Sequence, residues 1–424
     1  MKVKCSDAYI FSAIFILTLS RGFWCATYPP GIFLECVGFF LLWGRILKTY
    51  IQKYERTGNI ALVMILSTLL MTGLFFQDLT IVRKLILMYT FATIIMAAVM
   101  SENYLSNYRQ VRLMAYACFF GVIASMILCV VNGVPLISPV NESNVGIMYS
   151  FNSGIRGKEA STMMIAVIMS IYIYYKESMI LKQIDVMLIV IATILLILSN
   201  SRGAWIEIAV FLFTLNYKKI GRFSKAHRRF ITLIAFLIIT PLVVYIYNSI
   251  ILQSDTYLHR YKGWVYYLNY FSEDTFHMVY GNAELIYDKE VDYVTKIRSI
   301  IGWGGTLEMA WLNILIKNGI LGLIAYTIIF ARAIITAVKC EDYIRKTIYI
   351  AVIMTVLASS LVSDYIQSVH GLFGIYCYLI MAYYLGKIRE NNYYRKNKKT
   401  KKYMPSIKFR VRQTYSRQIM ASKS

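Results

Sequence analysis

Twelve long apolar stretches, near residues 8–25, 31–47, 59–77, 81–100, 111–131, 159–176, 184–199, 203–217, 230–249, 307–331, 345–363 and 369–387, take up most of the chain. An α-helix crosses the hydrocarbon of a bilayer with about 20 mostly apolar residues, fewer when flanking side chains reach back to the interface. The stretches do not alternate polar with apolar residues, and a lipid-exposed strand has no means of satisfying its backbone groups, so helices are expected rather than a barrel. The expected fold class is all-α, a polytopic membrane helical bundle of about 12 transmembrane helices. Residues 1–390 make up that bundle, and 391–424 read as a basic, disordered cytoplasmic tail. The first apolar run, 9–19, lacks a small-residue cleavage site and reads as helix one, not as a cleavable signal.

Composition fits this reading. Of the 424 residues, 58% are hydrophobic and 16% charged, against roughly 45–50% and about 25% in soluble domains. The formal charge of +23 is placed tellingly, because 13 of the Lys and Arg residues, against one acid (Glu390), fall between Lys387 and Ser424. Most of the remainder lies in alternate connections between apolar runs: 45–58, 101–112, 176–184, 218–229 and 332–346. With twelve spans all five connections and both termini fall on one side, which the positive-inside bias makes cytoplasmic. Charge so distributed suits anionic membrane lipid and forms no folded basic face for nucleic acid. The seven cysteines and four histidines show no metal-ligand spacing, so neither metal nor cofactor is expected.

The opposite side carries two long connections, 132–158 and 250–306, the second lying between helices nine and ten. Structureless connections of that length are uncommon unless they are functional. Arg202 opens helix eight on this side, where both the positive-inside bias and the positive helix end disfavour a cation. It either meets an anion or is an interfacial residue anchored beside Trp205 or paired with Glu207. Gly302, Gly304 and Gly305 precede helix ten, where free backbone N–H groups receive anions, and Glu308 follows as a helix-start acid or a reacting carboxylate. Arg156, Arg260 and Arg298 are solvated loop charges or, together, a diphosphate clamp. Tyr261 and Trp264 stack on sugar rings or belong to an aromatic belt. His370, with Asp364 in the last short connection, contacts substrate or is a hydrogen-bonded structural residue. Glu35, Glu207 and Lys317 lie within apolar helices, where an ionisable group is a functional candidate.

Three features together resemble the O-antigen polymerase (Wzy) and O-antigen ligase superfamily of bacterial surface-polysaccharide enzymes. They are Ser201-Arg202-Gly203-Ala204-Trp205 at the start of a helix, the long outer connection after helix nine, and Trp311-Leu312-Asn313-Ile314-Leu315 followed by Gly319 and Gly322. The motifs cover about 200–330, and the layout of helices covers the whole chain. Members often carry a His-bearing pair just before the aromatic-Leu of helix ten; this sequence reads Glu308-Met309-Ala310-Trp311. Glu308 is then a polar contact to the acceptor sugar or the base. The resemblance implies a metal-independent glycosyltransferase at the periplasmic face of the bacterial inner membrane, both termini cytoplasmic. Its substrate would be an undecaprenyl-diphosphate-linked glycan, passed to a lipid-linked acceptor, with a chain-length regulator as a candidate partner. Arg202, Arg298 and Arg260 would stabilise the diphosphate leaving group. A polymerase is the preferred member; a ligase and a lipid-linked repeat-unit flippase are the alternatives.

Overall fold

A computed structural model describes residues 5–21, 29–57, 59–133, 137–142, 146–151, 157–199, 201–221, 255–283, 309–368 and 371–403. In chain order the helices are α1 (Cys5–Ser20), α2 (Pro29–Thr57), α3 (Ile60–Phe76), α4 (Ile81–Ile95), α5 (Tyr108–Val131), α6 (Gly157–Ser178), α7 (Gln183–Leu198) and α8 (Arg202–Gly221). There follow α9 (Asp255–Glu273), α10 (Thr275–Tyr280), α11 (Ala310–Val338), α12 (Tyr343–Val362) and α13 (Leu372–Tyr403). An antiparallel hairpin, β1 (Ile137–Glu142) with β2 (Gly146–Phe151), pairs Ile137 with Phe151 and Glu142 with Gly146 in the connection after α5. Eleven of the twelve predicted apolar segments coincide with helices, and the other, 230–249, lies outside the described residues.

Among the described residues four helices are long and apolar enough to cross a membrane: Ile81–Asn103, Tyr108–Val131, Ala310–Val338 and Tyr343–Leu361. Cys5–Ser20, Ile60–Phe76, Gln183–Leu198 and Gly203–Tyr217 are apolar but shorter. A helix rising 1.5 Å per residue covers the hydrocarbon at that length only with help from flanking side chains. Large apolar side chains also face outward, among them Phe33, Phe40, Phe75, Ile81, Val131 and Phe213. Helices apolar on every side have lipid for a solvent, or other helices. The second case is met by α6 and α13, buried almost all round along 161–171 and 371–385. They meet at a hydrogen bond of 2.8 Å between Ser170 Oγ and Tyr376 Oη.

The polar groups segregate to the two ends of this bundle. At one end Gln110 donates to Asp7 (2.7 Å), Arg45 to the Tyr104 carbonyl (2.9 Å) and Arg112 to the buried Asp185 (2.8 Å). The same end holds Glu102 among Asn59, Arg332 and Arg389. A π turn (Met96–Met100) and a 3-10 turn (Ser101–Asn103) after α4 bring Glu102 inward against α13, where Gly386 allows its backbone to approach. At the other end lie the Arg21–Glu35 ion pair (2.5 Å), Gln77 and the Ser363 turn. The start of α1 and the segment of α13 around Arg389 therefore sit at the same end. The last helix runs on to Tyr403, into the basic tail.

Two sequence expectations change. The connection 250–306 contains the helices α9 and α10. Helix ten, expected as one span over 307–331, is broken at Gly319, whose φ of 59° and ψ of −157° are not helical. Residues 320–338 continue as the long apolar helix beyond the break. Leu312, Leu315 and Ile316 before the break pack on Tyr267 and Phe271 of α9, a small apolar core separate from the main one. Sequence periodicity cannot show this, because the run is apolar on both sides of the break.

Candidate functional site

The end of the bundle away from Glu102 gathers helix termini around one buried carboxyl group. α8 begins at Arg202, and Glu207, about one and a half turns on, points into the bundle against α12 and is 1% exposed. Ser359 of α12 hydrogen-bonds to the Glu207 carboxyl group, and the Cys377 side chain lies close to it. Glu207 Oε2 has no hydrogen-bond partner among the described residues. A buried carboxyl oxygen left in that condition costs free energy comparable to a lost hydrogen bond or more.

Serines continue the polar strip outward. Ser359 Oγ lies 2.9 Å from Ser363 Oγ, and Ser363 Oγ also reaches back to the Ser359 carbonyl (2.8 Å). The Ser363 carbonyl accepts the Ala310 N–H (3.1 Å), and the Trp311 indole N–H donates to Ser360 Oγ (2.8 Å). These two bonds fix the start of α11 on the end of α12. Beyond Ser363 the chain makes a 3-10 turn over Tyr365–Gln367; Gln367 is buried, and its Nε2 has no hydrogen-bond partner among the described residues. Gly374 permits the close approach of this turn, since a Cβ there would overlap the Tyr365 carbonyl. The starts of α8, α11 and α13 thus lie near the strip, and helix N-termini favour anions.

The small core of α9, α10 and 310–318 is pinned to the bundle by Gln77 at the end of α3. Gln77 Nε2 donates to the carbonyls of Tyr280 (2.7 Å) and Lys317 (2.8 Å), and its Oε1 accepts the Ala283 N–H (2.9 Å). The Asn282 N–H donates to the Ile316 carbonyl (2.6 Å), so the carbonyls freed by the break at Gly319 are taken up. Asp274 caps α10 by accepting the N–H groups of Phe276 and His277 (both 3.1 Å) and the His277 ring at 2.5 Å. The first of these contacts with His277, through its backbone, does most to hold the Asp274 carboxyl below the usual carboxylate range.

Among the residues singled out in the sequence, Arg202 is the first residue of α8, and Arg260 and Tyr261 lie in the early turns of α9. Trp264 is half-buried in the small core, its ring 6.2 Å from Tyr267 in an edge-on contact. Arg156, Arg298, Gly302, Gly304, Gly305, Glu308 and His370 lie outside the described residues. Glu35 is ion-paired with Arg21, and Lys317 is buried at the break, its carbonyl bound by Gln77. Sequence reasoning passed over Gln77, Ser359, Ser363 and Gln367. The serines carried a signal, being spaced four apart at the end of an apolar run; Gln77 carried none. No family model matches this chain, and no curated protein matches it.

Proposed function

We propose that the chain is a polysaccharide polymerase of the bacterial cytoplasmic membrane. It crosses the bilayer twelve times, with both termini inside and the Glu207 end outside. In this reading it transfers a growing glycan from undecaprenyl diphosphate to the hydroxyl of a second lipid-linked repeat unit. The orientation is supported by Arg45, Arg112, Arg332, Arg345 and Arg389 lying at the Glu102 end, as the positive-inside bias requires. The observation that carries the chemistry is the buried Glu207 carboxyl, one oxygen of which has no hydrogen-bond partner among the described residues, on the same helix that Arg202 opens.

The reaction asks for two things. As the acceptor hydroxyl forms its bond to the anomeric carbon, its proton needs a base, and Glu207 is the described carboxyl suited to take it. As the anomeric C–O bond breaks, its electron pair leaves on the diphosphate, which needs cations in a site shielded from water. Arg202, with Arg260 and Arg298, meets that need in this reading, and Glu308 contacts the acceptor. A carboxyl within a span also suits a proton-coupled flippase of lipid-linked glycan, so the test must separate the two.

Deleting the gene and restoring it as wild type, Arg202→Ala or Glu207→Gln provides that test, read from the polysaccharide ladder. A polymerase predicts that both variants accumulate in the membrane yet leave only a single capped repeat. Long chains of normal length distribution in both variants would sink the proposal. Loss of all capping, with lipid-linked units held on the cytoplasmic leaflet, would establish the flippase instead.

A further inference from the structure

A buried carboxyl group that takes up a proton changes what it asks of its neighbours. The ionised carboxylate only accepts hydrogen bonds, whereas the acid has one O–H to donate. A buried base therefore needs a neighbour that donates before the proton arrives and accepts once it has arrived. Without one, one of the two states carries the desolvation cost of an unsatisfied polar group. Lysine and arginine can only donate, and a backbone carbonyl can only accept; a hydroxyl does both.

The neighbour that the bundle gives Glu207 is a hydroxyl. Ser359 hydrogen-bonds to the Glu207 carboxyl group across the packing of α8 on α12. Its Oγ also lies 2.9 Å from Ser363 Oγ, one turn further along α12. The Ser363 hydroxyl has a place for its own hydrogen on the Ser359 carbonyl, at 2.8 Å. With that hydrogen settled, the lone pairs of Ser363 Oγ are open to the hydrogen of Ser359. All three residues are buried, where a hydrogen bond is electrostatically stronger than in water. Ser360 is buried beside them but engaged elsewhere: it donates to the Leu357 carbonyl (2.6 Å) and accepts the Trp311 indole N–H (2.8 Å).

We propose that Ser359 is a positioning residue of the Glu207 site, its hydroxyl reversing direction as Glu207 gains a proton and Ser363 receiving the hydrogen that is turned away. In the polymerase reading, on which this role rests, the acceptor oxygen bonds to the anomeric carbon as its O–H bond breaks, and the proton passes to Glu207. The electron pair of the broken anomeric C–O bond leaves on the diphosphate. Before the transfer Ser359 donates to the Glu207 carboxylate and holds it in place. After it, Glu207 donates to Ser359 Oγ, and Ser359 donates to Ser363 Oγ. The serines gain and lose no proton; their hydroxyls only turn.

Infrared difference spectra of the full chain in lipid films, taken on acidification and referenced to Glu207→Gln, isolate the C=O stretch of protonated Glu207. Ser359→Ala should move that band to higher wavenumber, because the acid loses its acceptor, and Ser359→Thr should return it. Ser363→Ala should move it in the same direction by less, and Ser360→Ala should leave it in place. A band that never appears, or that stays in place in both Ser359→Ala and Ser363→Ala, would overturn the assignment. In cells, Ser359→Ala should accumulate in the membrane yet cut long-chain polymer at least about tenfold, as loss of a hydrogen bond to a charged group does, with Ser359→Thr recovering it. If Glu207→Gln abolishes long chains while Ser359→Ala makes them normally, the role of Ser359 alone falls. Long chains of normal length in Glu207→Gln would instead remove Glu207 as the base, and the catalytic role of Ser359 with it.

Discussion

Glu102, Asp185 and Glu207 are all buried in an apolar bundle, and each keeps different company. Asp185 accepts from Arg112 (2.8 Å), Tyr116 (2.6 Å) and the Lys182 N–H (3.0 Å), so its charge is matched and its oxygens are occupied. Glu102 accepts from the guanidinium groups of Arg332 and Arg389, and Glu207 has no cation among its described hydrogen-bond partners. Matched carboxylates hold structure together, whereas an ionisable group without a counter-ion inside a span is a functional candidate. Asp274 shows the matched kind outside the spans, where titration can be followed. Its carboxyl is held below its ordinary value, chiefly by the His277 N–H and then by the His277 ring. A depressed carboxyl pKa contributes stability that is present above the unfolded value of about 3.9 and is lost as pH falls through the folded one. Thermal unfolding of the wild type should therefore fall more steeply between neutral pH and pH ~3 than that of Asp274→Ala. At neutral pH the substitution should cost about 1 kcal/mol, the usual worth of an N-cap. Equal pH slopes in the two proteins would show that Asp274 does not stabilise α10.

The helices themselves were largely legible, because twenty-residue apolar runs admit little else, and capping residues then sharpen the ends. Thr80, Asn107 and Asp342 each accept from a backbone N–H in the first turn of the helix they precede. What the apolar pattern did not reveal is the break in α11. Asn318-Gly319 is a turn dipeptide inside an apolar run, and it is the one local sign of the break. Gly319 combines a φ of 59° with a site where any Cβ would overlap the Val279 carbonyl. Left-handed backbone costs an ordinary L residue about 1–2 kcal/mol before the overlap is counted. Gly319→Ala should accordingly destabilise the protein by about 2 kcal/mol or more, seen as a lower unfolding temperature and faster protease cleavage within 255–283. A helix that simply ran straight through would be stabilised by the same change, since Ala is the better helix former. The sign of the shift decides between the two structures.

The molecule as a whole has two chemically distinct ends, and this division was partly written in the charges. Basic connections alternated along the sequence, so sidedness was legible. The convergence of Glu207 with Ser359 and Ser363 was not, because it depends on α8 packing against α12, some 150 residues later in the chain. Arg156, Arg298, Gly302, Gly304, Gly305, Glu308 and His370 lie outside the described residues, and Glu207 joins Glu308 as a candidate carboxylate. Everything proposed for the outer face requires the Glu207 end to be outside. Ser106 is exposed at the Glu102 end, beside Gln110 and hence Asp7, whereas Ser272 is exposed near the end of α9, at the opposite end. Cysteine placed at either position, in a background with Cys5, Cys25 and Cys36 replaced by serine, reports its side directly. An impermeant maleimide added to intact spheroplasts should label Ser272→Cys and leave Ser106→Cys unlabelled; lysis should expose both. The reverse pattern would turn the protein over in the membrane and remove the outer-face reaction with it. Labelling of both in intact spheroplasts would mean that the two clusters do not mark opposite sides, and the positive-inside reading of the whole chain would fall.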